Sequence, residues 1–207
     1  MKGKALIILA TLSISGVAFA SGNIYMGKYP VANVRINGAS LTEEDTPAIT
    51  LNNKTMIPLQ TAAEKMGAFV DSDENTGEMM VTKPNINMIV AGEIARSTEG
   101  NYQINSPFMA VPRGKTASFD VFVEVDNAPK ADMLVFKVVV RGPNGSDEYV
   151  SYPQSYSTTR NGTAFLYTHN VKQLQFKQSG DYKVQLIMKE GNTGDYRVVG
   201  ENIIHSQ

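Results

Sequence analysis

Alternation of apolar and polar residues dominates the second half of the chain and restricts it to β-structure. The stretch TASFDVFVEVD at 116–126 places every second residue on one apolar face. The inward positions of this stretch are Phe119, Val121, Val123 and Val125. Further runs, DMLVFKVVVRG and GDYKVQLIMKE, are separated by turn sequences such as GPNG and NG. About seven short strands in roughly a hundred residues predict an all-β immunoglobulin-like sandwich over 102–207.

The segment 21–90 combines hairpin and helix patterns instead. Asn37-Gly38 and Asn52-Asn53 lie between short apolar runs, and such pairs favour tight hairpins because they accept positive φ. Pro58, the following LQTAAEKM and Gly67 predict a two-turn helix. One apolar stripe is expected to be buried, formed by Leu59, Ala62, Ala63 and Met66. We expect a small α+β domain, made of hairpins plus one short helix, and a polar linker at 91–101.

The N-terminus predicts export. Lys2 and Lys4 precede an apolar run, and Ala18-Phe19-Ala20 fits a cleavage site, so residues 1–20 are predicted to be a signal peptide. An uncleaved anchor is the alternative. No second run of membrane length follows, so we expect no membrane span after cleavage. The predicted location is secreted or extracytoplasmic, in the cell envelope, in the periplasm or at the cell surface.

The composition excludes several classes of function. The chain has no cysteine, so it has neither disulfides nor thiolate metal sites nor a cysteine nucleophile. Without Lys2 and Lys4, 17 basic residues face 20 acidic ones, a formal charge of −3. Nucleic-acid binding requires clustered Lys and Arg, and no such cluster occurs in the sequence, so we expect no nucleic-acid partner.

Residues 34–83 carry an ordered series of motifs: ING at 36–38, NKTMIPL at 53–59, AEKMGA at 63–68 and VD at 70–71. This series resembles the copper amine oxidase N-terminal-like, or stalk, domain of bacterial exported proteins. Gln60 stands where that family usually has Arg, and Ser72 where it often has an aromatic residue. The resemblance implies a spacer or surface-attachment module without catalysis. The segment has no His, Cys or Tyr with which to bind copper.

The acidic stretch VDSDENTGEMMV raises the question of calcium. Asp71, Asp73 and Asn75 occupy positions 1, 3 and 5 of a calcium loop, but position 6 is Thr76 and position 12 is Thr82. An EF-type loop requires Gly at position 6 and a bidentate Glu at position 12. We therefore interpret the stretch as a hairpin turn, with weak calcium binding as the alternative.

The sequence gives no catalytic residues and no cofactor site. His169 and His205 are the only histidines, and His169 is interpreted as a structural residue at the end of a strand. No G-x-S-x-G nucleophile motif occurs, and the acidic residues at 43–45 are interpreted as solvated loop charges. We therefore expect that the protein is not an enzyme.

One stretch, EYVSYPQSYSTTR, is a candidate binding surface. Its candidate residues are Tyr149, Tyr152, Tyr156 and Arg160. Tyrosine offers a large contact area at low entropic cost, so the stretch could meet a protein or a cell-wall glycan. The alternative is that the tyrosines cover the edge of the sandwich.

The expected function is an exported, non-catalytic binding or structural protein of the bacterial cell envelope. The alternative function is an inhibitor or accessory subunit of an exported enzyme such as a protease.

Overall fold

A computed structural model describes residues 23–41, 46–107 and 110–207. Strands make up most of these residues, and both helices are short. The predicted signal peptide at 1–20 and the acidic residues at 43–45 lie outside the described residues.

The N-terminal part, called here the hairpin–helix module (23–41 and 46–84), is built from pairs of short strands. Its elements are β1 (Ile24–Tyr25), β2 (Tyr29–Pro30), β3 (Arg35–Ile36), β4 (Ala39–Ser40), β5 (Ile49–Leu51), β6 (Lys54–Met56), α1 (Leu59–Lys65), β7 (Phe69–Ser72) and β8 (Met79–Thr82). Each odd-numbered strand pairs antiparallel with the next one. Asn37 and Gly38 have φ of 50° and 78°, and Asn52 and Asn53 have 49° and 60°. Both predicted hairpins are therefore present.

Helix α1 follows Pro58 and is terminated by a C-cap that contains Gly67, as its sequence predicts. Gly67 has φ of +69°, its amide donates to Glu64 O, and the Ala68 amide donates to Ala63 O. These two bonds form the glycine-terminated C-cap that closes many helices. The predicted buried stripe is wrong at its ends, because Leu59 and Met66 are 44% and 40% exposed. A seven-residue helix buries only its middle against β7, here through Thr61, Ala62 and Ala63.

The remainder, called here the sandwich (85–107 and 110–207), consists of two sheets. Its elements are β9 (Asn85–Arg96), β10 (Tyr102–Pro107), β11 (Ala110–Val111), β12 (Thr116–Asp126), β13 (Leu134–Arg141), β14 (Asp147–Val150), β15 (Gln154–Tyr156), α2 (Thr158–Asn161), β16 (Phe165–Gln175), β17 (Gly180–Glu190) and β18 (Arg197–Ser206). One sheet has the order β10-β9-β12-β16. The other has the order β11-β18-β17-β13-β14, and β15 also pairs with β13. The fold is an immunoglobulin-like β-sandwich, as predicted.

The core lies between the two sheets. The predicted inward residues of β12 are all fully buried, and so are those of β17, namely Tyr182, Val184, Leu186 and Met188. Gln185 occupies an outward position of the alternating run GDYKVQLIMKE, yet it is buried beside Glu201, whose carboxylate accepts a hydrogen bond from its amide at 2.6 Å. The alternation therefore defines the core face correctly, while a central strand also buries part of its outer face.

The predicted linker at 91–101 is wrong. Residues 91–96 belong to β9, which begins at Asn85, pairs with β12 over 85–91 and continues alongside β10. Only the turn at 97–101 lacks strand structure, and it is closed by the Ser97 amide donating to Asn101 O at 2.8 Å. The second half of β9 is mostly exposed on both faces, so it has no core-facing alternation that a pattern could reveal.

Candidate functional site

The acidic stretch forms the turn between β7 and β8. The Asp73 carboxylate accepts the amides of Asn75 and Thr76 at 2.8 and 3.2 Å, and the Asp71 carboxylate accepts the amide of Ser72 at 2.8 Å. The Gly77 amide donates to Asp73 O, and Gly77 has φ of +70°. Asp73 therefore uses its carboxylate to hold its own turn, as Asp does in many tight turns.

These hydrogen bonds also change the pKa of the Asp73 carboxyl. The amides of Asn75 and Thr76 lower the pKa of Asp73 below its ordinary value, because they stabilise the ionised carboxylate. Among the described residues, no group of three or more His, Cys, Asp or Glu side chains is placed to hold a metal ion. Calcium binding by Asp71, Asp73 and Asn75 stays a prediction.

The four candidate surface residues do not form one flat patch. Tyr149 and Tyr156 are half-buried and pack against the core of the sandwich, whereas Tyr152 and Arg160 are exposed. Tyr152 is 89% exposed in the loop between β14 and β15. Tyr156 stacks on Phe165 with ring centroids 4.4 Å apart and donates its hydroxyl to Asn161 O. Tyr149 and Tyr156 thus cover the sandwich edge and leave Tyr152 projecting from it.

His169 joins this edge to the opposite sheet. Its Nε2 lies 2.6 Å from the Tyr149 hydroxyl, and its Nδ1 lies 3.1 Å from the Tyr167 hydroxyl. A neutral imidazole has one donor and one acceptor, so one hydroxyl donates to the ring and the other accepts from it. Burial lowers the pKa of His169, while the nearby Asp120 carboxylate acts in the opposite direction. His169 lies inside β16 rather than at the end of a strand, and its structural role stays a prediction.

The hairpin–helix module contacts the sandwich at a junction that the sequence does not predict. Phe69 is buried and belongs to the sandwich core cluster. The guanidinium of Arg197 lies 4.4 Å from the centroid of the Phe69 ring, and its Nη1 donates to Ala68 O at 2.7 Å. Its Nη2 is 4.0 Å from a Glu64 carboxylate oxygen, and the Arg197 side chain is only 13% exposed. One arginine therefore binds the end of the helix and the first residue of β7 together.

The main chains of the module and the sandwich approach each other closely at this junction. A methyl group at Gly67 would lie 2.3 Å from Val198 O, so a side chain cannot fit there without moving the module. Gly67 is thus required twice, for its positive φ and for this approach. The sequence reveals the first requirement through the pattern of the helix end, but Val198 is distant in sequence and unpredicted.

A cavity of about 310 Å³ lies where β7 and β8 meet the sandwich. Its lining includes the side chains of Phe69, Asp71, Met80 and Glu190. Burial raises the pKa of the Glu190 carboxyl, and the Asp71 carboxylate raises it further, while Arg197 lowers it. The carboxylates of Asp71 and Glu190 therefore repel each other at the junction, and the positive charge of Arg197 partly offsets this repulsion.

The fold and the junction define an architectural class: a hairpin–helix unit packed on an immunoglobulin-like sandwich. Residues 35–127 match the family model of the copper amine oxidase N-terminal domain, which confirms the resemblance found in residues 34–83. The match runs beyond the hairpin–helix module to the end of β12, so it includes the first strands of the sandwich.

Several solved structures are similar to part of this chain at low sequence identity. The C-terminal domain of wzt is 13% identical, with a TM-score of 0.37, over 68% of this chain and 78% of that one. A CARDB domain from Pyrococcus furiosus, solved with di-metal ions, is 15% identical, with a TM-score of 0.32, over 60% and 94%. An immunoglobulin-like protein from Pseudomonas aeruginosa is 11% identical, with a TM-score of 0.32, over 61% and 96%.

A comparison with curated protein sequences found no match. Within the described part of the chain, no helix is both long and apolar enough to cross a membrane.

Proposed function

We propose that the chain is an exported, non-catalytic binding protein of the bacterial cell envelope. The basic and apolar N-terminus with its cleavage site supports export, and so does a family domain typical of exported proteins. The hairpin–helix module acts as a stalk that attaches the sandwich to its surroundings. Because Arg197 and Phe69 fasten the two parts to each other, the stalk holds the sandwich in a fixed orientation.

The exposed ring of Tyr152 is the observation that carries the proposal of binding. The ring projects from an edge that is braced below by Tyr149 with His169 and by Tyr156 with Phe165. A rigid support reduces the entropy that a contact residue loses on binding, which favours recognition. Arg160, exposed on the neighbouring helix α2, adds a charged donor fork. The proposed partner is an envelope protein or a cell-wall glycan.

Retention of the chain on cell-envelope material tests this function. The chain from Ser21 onwards is incubated separately with protein-free peptidoglycan sacculi and with solubilised envelope proteins. We expect retention by one of the two fractions, and we expect Tyr152→Ala to weaken it at least about fivefold, the effect of a modest interface hot spot. Arg160→Ala should weaken retention in the same direction.

Leu166→Ala is the matched control, because Leu166 is also exposed but lies on β16 rather than in the β14–β15 loop. It should leave retention unchanged. Failure of both fractions to retain the chain would contradict the envelope-binding function. Equal retention of Tyr152→Ala and the unaltered chain would contradict the proposed surface.

A further inference from the structure

A groove of about 550 Å³ lies between the hairpin–helix module and the outer face of the sandwich. The module lines it with the β3–β4 hairpin and the end of α1, and the sandwich lines it with β17 and with residues 198–201 of β18. Its volume falls within the roughly 300–1,000 Å³ of ordinary ligand sites. Strand β17 pairs with β18 on one side and β13 on the other, so its main chain has no free edge there. A ligand in the groove therefore meets the side chains of β17.

Three lysines from different elements line this groove. Lys65 ends α1, Lys83 follows β8 and Lys183 lies on β17, and all three are exposed. Lys65 and Lys83 form no ion pair with any described residue. Glu201 is the single acidic residue in the described lining, and its carboxylate already lies 3.5 Å from the Lys183 ammonium. Three lysines against one glutamate give this groove a formal charge of +2, whereas the chain after the predicted signal peptide carries −3. The groove therefore favours an anion.

Gln185, which lines the same groove, adds an independent requirement. It is only 5% exposed, its amide donates to Glu201, and its Oε1 is buried without a donor among the described groups. Turning the amide over would not help, because the oxygen would then face the Glu201 carboxylate. A buried acceptor without a donor costs free energy. Ionised carboxylates and phosphates only accept hydrogen bonds, so an anion that satisfies Gln185 must also carry a donor such as a hydroxyl.

We propose that this groove binds a small organic anion that also carries hydroxyl groups, the chemistry shared by acidic saccharides and polyol phosphates. The anionic group lies among the three lysines, and a hydroxyl of the ligand donates to Gln185 Oε1. Ile36 and Met66, which also line the groove, contact the C–H groups of the ligand. The site does not include Tyr152 and does not rest on the binding function proposed above.

Calorimetric titration of the chain from Ser21 onwards with four probes tests the proposal. Digalacturonate and glycerol 1-phosphate carry both charge and hydroxyls, glutarate carries charge without hydroxyls, and maltose carries hydroxyls without charge. We expect binding of digalacturonate, glycerol 1-phosphate or both, which identifies the anionic group as carboxylate or phosphate. Glutarate and maltose should each bind at least about fivefold more weakly, since each lacks one of the two interactions. Raising the salt concentration from about 0.02 to 0.5 M should weaken binding, because salt screens exposed charges.

Substitutions that remove charge locate the site. Lys65→Gln, Lys83→Gln and Lys183→Gln should each weaken binding about two- to fivefold, and the triple variant at least about tenfold. Glu201→Gln should instead strengthen binding about twofold, because it removes the acidic charge of the described lining. Damage to the fold would weaken binding, so this opposite sign separates charge from structure. Lys172→Gln is the matched control, since Lys172 is exposed on β16 and does not line the groove. It should leave binding unchanged.

Circular dichroism establishes that each variant remains folded. Failure of both hydroxyl-bearing anions to bind would overturn the proposal. So would glutarate or maltose binding as tightly as they do, or affinity that is unchanged by the three lysine substitutions. Tyr152→Ala should not change the affinity for any probe, so failure of this inference is distinguishable from failure of the proposed envelope-binding function.

Discussion

The hairpin–helix module and the sandwich bury their apolar residues very differently. Among the described residues the sandwich buries 23 hydrophobic side chains, including Phe119, Phe176 and Leu186, whereas the module buries six. Four of those six are alanines, and a fifth, Phe69, belongs to the core of the sandwich. The module, although smaller, exposes ten of the 17 large hydrophobic residues found at the described surface. The module therefore has almost no core of its own.

This difference indicates that the module depends on the sandwich for its stability. Isolated two-stranded hairpins are marginally stable in water, and the module consists mainly of such pairs. Its one large, fully buried side chain is held by Arg197 at the junction. The sandwich should fold without the module, whereas the module should lose its structure if it is separated from the sandwich.

A substitution that creates a cavity in the sandwich core should cause the largest loss of stability. The loss should extend to both the sandwich and the module. Leu186→Ala removes a fully buried side chain between the sheets, and we expect a loss of about 2–5 kcal/mol of unfolding free energy. Because the module depends on the sandwich, amide exchange in β7 should accelerate together with exchange in β17. Leu166→Ala, at an exposed position, should change stability by less than about 0.5 kcal/mol. Undisturbed protection of β7 in Leu186→Ala would show that the module is stable by itself.

The sandwich was predictable because its residues alternate in response to burial on one face. The strands β12 and β17 have the inward residues that the pattern gives, down to Tyr182 and Met188. The module was predictable by its turn chemistry and by family motifs, since Asn37-Gly38 and Gly67 require positive φ. The second half of β9 was missed because an exposed extension needs no pattern. The burial of Leu59 and Met66 was overestimated because a periodic stripe does not reveal whether anything covers it.

A substitution at the junction should destabilise the module without destabilising the sandwich. Its effect on stability should be smaller than that of Leu186→Ala. Gly67→Ala places a methyl group 2.3 Å from Val198 O and also forces alanine into positive φ. We expect faster amide exchange in α1 and β7, with exchange in β12 and β17 unchanged, because the module must move away from β18. The loss of local stability should exceed the roughly 1–2 kcal/mol that the positive φ alone costs alanine.

Gly77→Ala provides the matched control for this prediction. Gly77 has φ of +70°, nearly equal to that of Gly67, but a methyl group there would meet nothing within 4 Å. The difference between the two variants therefore measures the contact with Val198 alone. Equal effects of the two substitutions would mean that the close approach at the junction contributes nothing.

The junction itself escaped sequence analysis for a physical reason. The Arg197–Ala68 hydrogen bond joins residues 129 positions apart, and arginine at the start of a strand has no distinctive pattern. His169 was interpreted as a structural residue, yet its hydrogen bond to Tyr149 depends on how the two sheets face each other. Local periodicity determines which face a side chain occupies, but the partner it meets there depends on the tertiary arrangement.

The smallest predicted effect is a pH dependence of opposite sign in the two regions. Burial raises the pKa of Glu190 at the junction above its ordinary 4.5, so the folded state holds this proton more tightly than the unfolded chain. The junction should therefore lose stability as pH rises from 4.5 through the raised pKa. Burial lowers the pKa of His169 below its ordinary 6.5, so the sandwich edge should lose stability as pH falls below 6.5.

Amide exchange of β7 and β16, followed between about pH 4 and 8 and corrected for intrinsic rates, separates the two effects. Glu190→Gln removes the titrating carboxyl, so the protection of β7 should increase at neutral pH and lose its dependence in the window above 4.5. The same substitution should leave the pH dependence of β16 intact, because His169 belongs to the edge of the sandwich rather than to the junction. If β7 kept its original pH dependence in Glu190→Gln, that dependence would have to come from a titrating group other than Glu190.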